Sequence, residues 1–279
     1  MSLAKEKEKF KTRLKAFVSG LVGHVSTEDK QWTVKGFIDV YKNIYTISAD
    51  TKIVSKILEI HLFPKILEFA RKNKFKLVLT DHQNYYPDIS FVSEAKPELK
   101  FAVDLKTTYR LEDKPEFCNG FTLGSHGEYF INRQSRKNIQ FPYAEYAGHF
   151  CLGAIYSRVV SDKLPETRMR RIGELRSIVS VVRDFQFFLC EKWEIASDRS
   201  GSGNTANIGS ITRIEDILDG NGMFKNLGEK WFDEYWINYG KIMLPESGKK
   251  ITKLADYLAY RGQDAKLLNP RARTTRRRP

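Results

Sequence analysis

Apolar and polar residues alternate in two short runs of this chain, residues 88–91 and residues 101–106. A period of two is typical of β-strands, because successive side chains point to opposite faces of a sheet. The polar stretch between the runs contains Pro97 and includes position 96, the midpoint of Asp88 and Asp104. The pattern therefore predicts a hairpin that turns near position 96 and places Asp88 opposite Asp104, with Lys106 on the same face as Asp104.

The remaining pattern predicts a mixed α and β chain. A helix is expected over residues 5–17, and Asp50 can cap a second helix over residues 51–70 that Pro64 bends or splits. We expect strands over residues 75–80, 177–190 and 193–196, and a buried helix over residues 143–160 that also serves a subunit contact. Residues 231–239 carry aromatic residues at helical spacing, which predicts a helix packed on the core.

Length and composition agree with a globular, basic protein. The 279 residues are 41% hydrophobic, enough for a core, and we predict one domain over residues 1–268 followed by a basic, disordered tail over residues 269–279. The net charge is +13, and the chain stays strongly basic without the five tail arginines, which favours a polyanionic partner. With no long apolar run and no secretory pattern at the N-terminus, a cytosolic protein without membrane contact is expected. Three widely spaced cysteines predict free, buried thiols, namely Cys118, Cys151 and Cys190.

The predicted hairpin would gather two carboxylates and an ammonium group in one small volume. Asp88 and Asp104 would repel each other unless a cation lay between them, and Mg²⁺ suits such a site because it prefers oxygen ligands and keeps several waters. Lys106 could then orient or deprotonate an attacking water and stabilise negative charge on a phosphoryl group. The alternative is that Asp88 caps a turn, while Asp104 and Lys106 form a solvated strand face.

The Pro87-Asp88 and Asp104-Leu105-Lys106 pattern resembles the PD-(D/E)XK nuclease superfamily, and the wider sequence is similar to its EcoRV-type restriction endonucleases. The resemblance extends to about Tyr239 and includes further segments: Asp50 to Lys52, Gln83 to Asp88, Val103 to Tyr109, Phe121 to Gly124 and Gly201 to Thr205. It implies a restriction-endonuclease-like α/β (mixed α+β) core, with a central mixed β-sheet flanked by helices and a small dimerisation subdomain.

The resemblance also implies roles for individual residues. Asp88 and Asp104 would be the metal ligands, Lys106 the third catalytic residue, and Glu59 an acidic helix residue with a secondary role near the metal. The alternative for Glu59 is a solvated position, on a helix whose core-facing stripe is formed by other residues, namely Ile53, Ile57, Ile60 and Phe63.

Two segments carry the expected contacts to DNA bases. The resemblance makes the loop with Gly201, Ser202, Gly203, Asn204 and Thr205 the major-groove reader, and asparagine can bond an adenine through N6 and N7. Gln83 and Asn84 would contact the minor groove, although Asp81 and His82 depart from the basic, glutamine-containing sequence expected there. The alternatives are a plain surface connection for the loop and an ordinary turn before Pro87.

Together these expectations describe a Mg²⁺-dependent type II restriction endonuclease that hydrolyses double-stranded DNA. The resemblance implies the palindromic site GATATC cut bluntly at its centre, a homodimer that matches the two-fold symmetry of the site, and a cognate DNA methyltransferase that protects the host. Two alternatives stay open at this point: a structure-selective or repair nuclease of the same fold, and a non-catalytic DNA-binding relative.

Overall fold

The computed structural model describes residues 2–80, 82, 85–159, 169–201, 206–244 and 248–268. The helices within this part of the chain are α1 Leu3–Ser19, α2 Leu21–Val25, α3 Thr51–Lys72, α4 Glu128–Ile131, α5 Lys192–Ile195, α6 Ile214–Leu218, α7 Glu229–Asn238 and α8 Leu254–Tyr260. Short 3-10 turns cover Tyr143–Glu145, Ile172–Ser177 and Ala265–Leu267. The strands are β1 Gly36–Ile38, β2 Asn43–Thr46, β3 Phe75–Leu79, β4 Ile89–Ser93, β5 Lys100–Tyr109, β6 Thr122–Ser125, β7 Tyr146–Arg158, β8 Met169–Arg171, β9 Val182–Glu191, β10 Ala196–Ser200 and β11 Asn207–Ser210.

The central sheet has the strand order β3-β4-β5-β7-β9. The β5–β7 pair is parallel and the other neighbours are antiparallel, so the sheet is mixed. Helices α1 and α3 cover one face through buried aromatic and aliphatic side chains, while α7 and α8 contribute to the core on the other face. The predicted mixed α+β fold with a flanked central sheet is confirmed. No helix in the described ranges is long and apolar enough to span a membrane.

The helices that the sequence predicts near the N-terminus are confirmed. Helix α3 begins after Asp50, whose side chain accepts hydrogen bonds from the backbone amides of Lys52 and Ile53. It runs through Pro64 as one element to Lys72, because the packing of its buried face against the sheet outweighs the lost backbone hydrogen bond. The aromatic helix near the C-terminus is also confirmed as α7, with Phe232, Tyr235 and Trp236 buried.

Two of the predicted elements are wrong. Residues 146–158 form the strand β7 and not a helix, because β7 lies between β5 and β9 with both faces buried, so the strand is apolar without alternation. Residues 192–195 form the short helix α5, and the expected strand begins only at Ala196. Cys118, Cys151 and Cys190 are free and buried, as predicted.

Two smaller sheets lie outside the central one. The first contains β1, β2 and β8, and the second contains β6, β10 and β11. The second sheet carries Gly201 at the end of β10, so it positions one end of the predicted reading loop. The predicted tail at residues 269–279 lies outside the described residues.

Candidate active site

The hairpin formed by β4 and β5 brings Asp88 and Asp104 together. The two strands are antiparallel, with Ile89 opposite Val103, so Asp88 at the start of β4 lies beside Asp104. The amide of Asp88 donates to Oδ1 of Asp104 at 3.4 Å, and the amide of Leu105 donates to Oδ2 of Asp88 at 2.7 Å. Each carboxylate is therefore held by the backbone of the other strand, in the arrangement that the alternating pattern predicts.

Lys106 completes the cluster from the same strand face as Asp104. Its Nζ lies 2.8 Å from Oδ2 of Asp104, and both side chains are largely buried, with 21% and 6% of their surface exposed. Burial alone would lower the pKa of Lys106, but the negative charges of Asp104 and Asp88 outweigh burial and raise it. Lys106 is therefore held in its protonated form.

The two carboxylates have different proton affinities although they are neighbours. Burial, and then the negative charge of Asp104, raises the pKa of Asp88 to about 6. Burial acts in the same direction on Asp104, but Lys106 and Lys192 more than offset it, so the pKa of Asp104 lies below its usual range. Asp104 carries the fixed negative charge of the pair, and Asp88 gains its charge near neutral pH.

Helix α3 closes one side of the site and brings Glu59 to it. A cleft with a volume of about 120 Å³ contacts Asp88 and Lys106 from the hairpin, Glu59 from the helix, and other residues on its walls, namely Ser55, Leu58, Leu62, Leu105, Thr107, Leu152 and Ala154. The Glu59 carboxylate accepts a hydrogen bond from Lys56 Nζ at 2.8 Å and is partly exposed. The structure thus places Glu59 on the wall of the cleft that Asp88 and Lys106 also line.

The buried stripe of α3 differs from the expected one. Ile53 and Ile60 are 40% and 65% exposed, while the buried positions of the helix are Val54, Leu58, Leu62, Ile66, Phe69 and Ala70. The shift by one position turns the Glu59 face of the helix toward the cleft. Glu59 lines the cleft, and 41% of its side chain stays exposed to solvent.

The donors at this site suit a hard divalent cation. Asp88, Asp104 and Glu59 offer carboxylate oxygens, which such ions prefer. The pKa of Asp88 is raised by burial and then by the charge of Asp104, and a bound cation would oppose both effects. Within the described ranges, no three His, Cys, Asp or Glu side chains are close enough together to hold a metal by themselves. Mg²⁺ does not need such a cage, because it binds through one or two carboxylates and completes its shell with water and phosphate oxygens.

Most of the predicted base-reading residues lie outside the described part of the chain: Gln83, Asn84, Ser202, Gly203, Asn204 and Thr205. Gly201 is described, and its amide donates to the carbonyl oxygen of Asn207 at 2.8 Å. A Cβ at Gly201 would lie 2.8 Å from Cγ2 of Thr122, which leaves no room for a side chain. The flanking strands β10 and β11 pair antiparallel, with Ser200 opposite Ile208, and so fix both ends of the loop.

Lys192 is a residue near the site that the sequence reasoning missed. It begins α5, is 3% exposed, and its Nζ lies 3.5 Å from the centre of the Tyr86 ring. Burial lowers the pKa of Lys192 to about 8, although Asp104 acts in the opposite direction. The one signal in the sequence was a charged residue just after the predicted strand over residues 177–190. It could not reveal the contact with Tyr86, which is more than a hundred positions away in the sequence.

The mixed sheet and the carboxylate pair with its lysine define a nuclease of the PD-(D/E)XK class. The comparisons with known proteins identify the family more closely. A family model described as "Restriction endonuclease EcoRV" matches residues 28–262. The chain is 34% identical over 248 residues to the type II restriction enzyme EcoRV of Escherichia coli, a match that covers 88% of this chain and 98% of the relative.

The chain therefore belongs to the EcoRV restriction endonuclease family and is a type II restriction endonuclease, a site-specific deoxyribonuclease. Its substrate is DNA, and enzymes of this family generally need a divalent metal ion. Family membership also disfavours the two alternatives, a structure-selective or repair nuclease and a binding protein without activity.

Proposed function

We propose that this enzyme hydrolyses both strands of double-stranded DNA at GATATC, with blunt ends, in the presence of Mg²⁺ and as a homodimer. The observation that carries the proposal is the cluster of Asp88, Asp104 and Lys106, in which the buried carboxylate of Asp104 and the half-buried one of Asp88 lie beside a protonated lysine. This cluster supplies the oxygen ligands and the cationic donor that phosphodiester hydrolysis needs.

The proposed roles follow from the contacts of each residue. Asp88 and Asp104 would hold Mg²⁺, which when bound supplies positive charge to a phosphoryl oxygen and acidifies a water. Lys106 would position the attacking water and donate a hydrogen bond to the phosphoryl oxygen that gains charge. The raised pKa of Lys106 favours this role as a donor over a role as the base. Glu59, on the opposite wall of the cleft, would orient a water at its edge.

The net reaction requires no further reactant. The oxygen of water forms a bond to phosphorus, one bridging P–O ester bond breaks, and the released oxygen ends as a hydroxyl group after gaining the proton that water loses. Asp104, whose pKa lies below the usual range, stays ionised throughout as a ligand.

Recognition of GATATC is proposed from the sequence and from the family. Gly201, Ser202, Gly203, Asn204 and Thr205 would read base edges in the major groove, and Gln83 with Asn84 would contact the minor groove. The support is the agreement of these residues with the EcoRV pattern, together with an alignment to the Escherichia coli enzyme over 88% of the chain.

The small sheet of β1, β2 and β8 supports the proposed dimer. One face of it exposes apolar side chains that a monomer would not be expected to leave in water, namely the neighbouring Phe37, Tyr45 and Met169. A two-fold axis would bring the same patch of two subunits together and give one active site to each DNA strand. We also propose that a methyltransferase of the same specificity protects the host DNA, and that the enzyme acts in the cytosol, where that DNA lies.

Digestion of a plasmid with mapped GATATC sites, with and without Mg²⁺, tests this proposal, and the fragment ends are sequenced. Blunt ends within GATATC that appear only with Mg²⁺ are the expected result. Discrete ends at another sequence would reject the proposed specificity and keep the nuclease. Preference for branched or mismatched DNA would identify a structure-selective nuclease, and binding without cleavage would identify an inactive relative.

A further inference from the structure

Lys192 is buried in a way that costs stability. Only 3% of the residue is exposed, and in the described ranges no carboxylate oxygen lies within 4.0 Å of its Nζ. Its closest described neighbour is the face of Tyr86, whose ring centre lies 3.5 Å away. A cation–aromatic contact of this kind only partly replaces the lost hydration of an ammonium group.

The backbone around Lys192 leaves room for the ammonium group. Gly124 has a φ of +92°, and a Cβ at this position would lie 2.9 Å from Lys192 Nζ and 3.2 Å from the hydroxyl oxygen of Tyr129. Glycine is thus favoured both by this backbone conformation within β6 and by the space that the ammonium group fills. The pocket is shaped for the charged end of the side chain.

This pocket lies against the catalytic strand pair. Asp104 on β5 is aligned with Cys151 on β7, which is opposite Cys190 on β9, two residues before Lys192. Tyr86, which receives the ammonium group on its ring, is two residues before Asp88. Among the neighbouring charges, Asp104 interacts most strongly with Lys192. Lys192 therefore lies near both carboxylates through the neighbouring strands and through Tyr86.

We propose that Lys192 is a positioning residue for the cleavage reaction: a fixed buried cation that, with Lys106, balances the charges of Asp88 and Asp104. The inference rests on the proposed function of this carboxylate pair. A site balanced in this way holds a divalent cation less tightly than two uncompensated carboxylates would. It also keeps one more positive charge near the phosphate when negative charge develops on it.

A purely structural role predicts different behaviour. If Lys192 only filled space below Tyr86, methionine would serve equally well, because it has a similar length and no charge to bury. Removing an unpaired buried charge would then stabilise the protein and leave the reaction unchanged. If Lys192 is retained for its charge, Lys192→Met should give the same gain in stability but should also change the affinity for metal and the rate of cleavage.

The test compares Lys192→Met, Lys192→Arg and Lys100→Met in the full-length protein. Lys100 is the control, because it is also partly buried and lies over an aromatic ring, 5.2 Å from the centre of Phe141, but it begins β5 and pairs with Glu145 at 3.0 Å. Three quantities are measured for each protein at pH 7: the Tm without metal, the binding of Mn²⁺ alone by electron paramagnetic resonance, and the rate of cleavage of a GATATC duplex with Mg²⁺.

For Lys192→Met we expect a Tm equal to or above that of the wild type. Mn²⁺ should bind about five-fold more tightly and cleavage should be at least about ten-fold slower. Lys192→Arg should restore most of the cleavage rate and the wild-type Mn²⁺ affinity, and Lys100→Met should change neither. Wild-type Mn²⁺ binding and cleavage in Lys192→Met would overturn the inference, as would a large loss of Tm shared by Lys192→Met and Lys192→Arg. If the wild-type protein does not cut DNA, the proposed function fails, and the Mn²⁺ measurement still decides whether Lys192 balances the carboxylates.

Discussion

Lys106 and Asp104 are two residues apart on one strand, and Nζ of the lysine lies 2.8 Å from Oδ2 of the aspartate. The other carboxylate oxygen of Asp104 accepts a hydrogen bond from the amide of Asp88, on the neighbouring strand. Asp104 is therefore held from both strands of the hairpin. This arrangement places the permanently charged Lys106 and the titrating carboxyl group of Asp88 within one small volume. The stability of the protein should therefore respond to pH and to divalent ions.

The pH dependence of stability should reveal Asp88. Its pKa of about 6 in the folded protein lies above the value of about 4 in an unfolded chain, first because of burial and then because of Asp104. A raised pKa favours folding fully below the unfolded value, and this contribution is lost as the pH rises through 6. Asp88→Asn should therefore stabilise the metal-free protein by about 2 kcal/mol at pH 8, with a gain that shrinks toward zero near pH 4.

Urea unfolding in the presence of a chelator, at several pH values between 4 and 8, measures this difference. A gain that is the same at every pH would show that Asp88 does not titrate in this range and that its environment is misassigned.

Divalent ions should stabilise the folded protein at pH 8. A ligand that binds only the folded state adds about 2.7 kcal/mol at one hundred times its dissociation constant, which a thermal scan readily detects. We expect the Tm to rise with Mg²⁺ or Ca²⁺ in the wild type, and much less in Asp88→Asn. Asp233→Asn is the control. Asp233 lies on α7, away from the hairpin, and its carboxylate pairs with Arg133 at 2.7 Å. Equal Tm increases in all three proteins would place the ion elsewhere.

Gly201 should be intolerant of a side chain. Gly201→Ala would bring a Cβ to 2.8 Å from Thr122 and force the start of the proposed reading loop to move. We expect Gly201→Ala to cleave GATATC about ten-fold more slowly. It should also discriminate less between GATATC and a site with one altered base pair. Gly173→Ala is a matched control, since a Cβ there meets nothing within 4 Å. An unchanged preference in Gly201→Ala would separate this residue from base recognition.

The apolar surface of the small sheet should hold the proposed dimer together. Phe37 on β1 is 56% exposed and lies opposite Tyr45, so a lysine there would place a charge in the proposed interface. Sedimentation velocity should show a dimer for the wild type and a shift toward monomer for Phe37→Lys. Ile131→Lys changes an exposed apolar residue on α4 and serves as the control. A wild-type monomer, or a dimer in Phe37→Lys as stable as in the wild type, would contradict this assignment of the interface.

The catalytic hairpin could be predicted from the sequence because its geometry is local. Two alternating runs separated by a short polar turn fix the pairing, and the symmetry about position 96 gives the register, with Ile89 opposite Val103. The N-cap at Asp50 and the aromatic face of α7 are local signals of the same kind. Such features depend on neighbours within about twenty residues in the sequence, so long-range packing changes them little.

The strand β7 could not be predicted in this way, because its environment is set by distant strands. Both of its faces are buried between β5 and β9, which removes the alternation on which strand prediction depends. Position 153 requires glycine, because the Phe188 ring on β9 fills the space that a Cβ would need. The position of Lys192 beside Tyr86 depends on the same long-range packing, and the buried stripe of α3 was misplaced by one position for the same reason.

The most direct test of the catalytic site is the rate at which Asp104→Asn cleaves a duplex with one GATATC sequence, compared with the wild type and Asp233→Asn. The substitution keeps the shape of the side chain but removes the negative charge that pairs with Lys106 and is proposed to bind the metal. We predict a loss of at least about 1,000-fold in rate at saturating Mg²⁺, together with a lower Tm, because the buried Lys106 loses the carboxylate that balances its charge. A cleavage rate within ten-fold of the wild type would contradict the account and place the catalytic centre away from this hairpin.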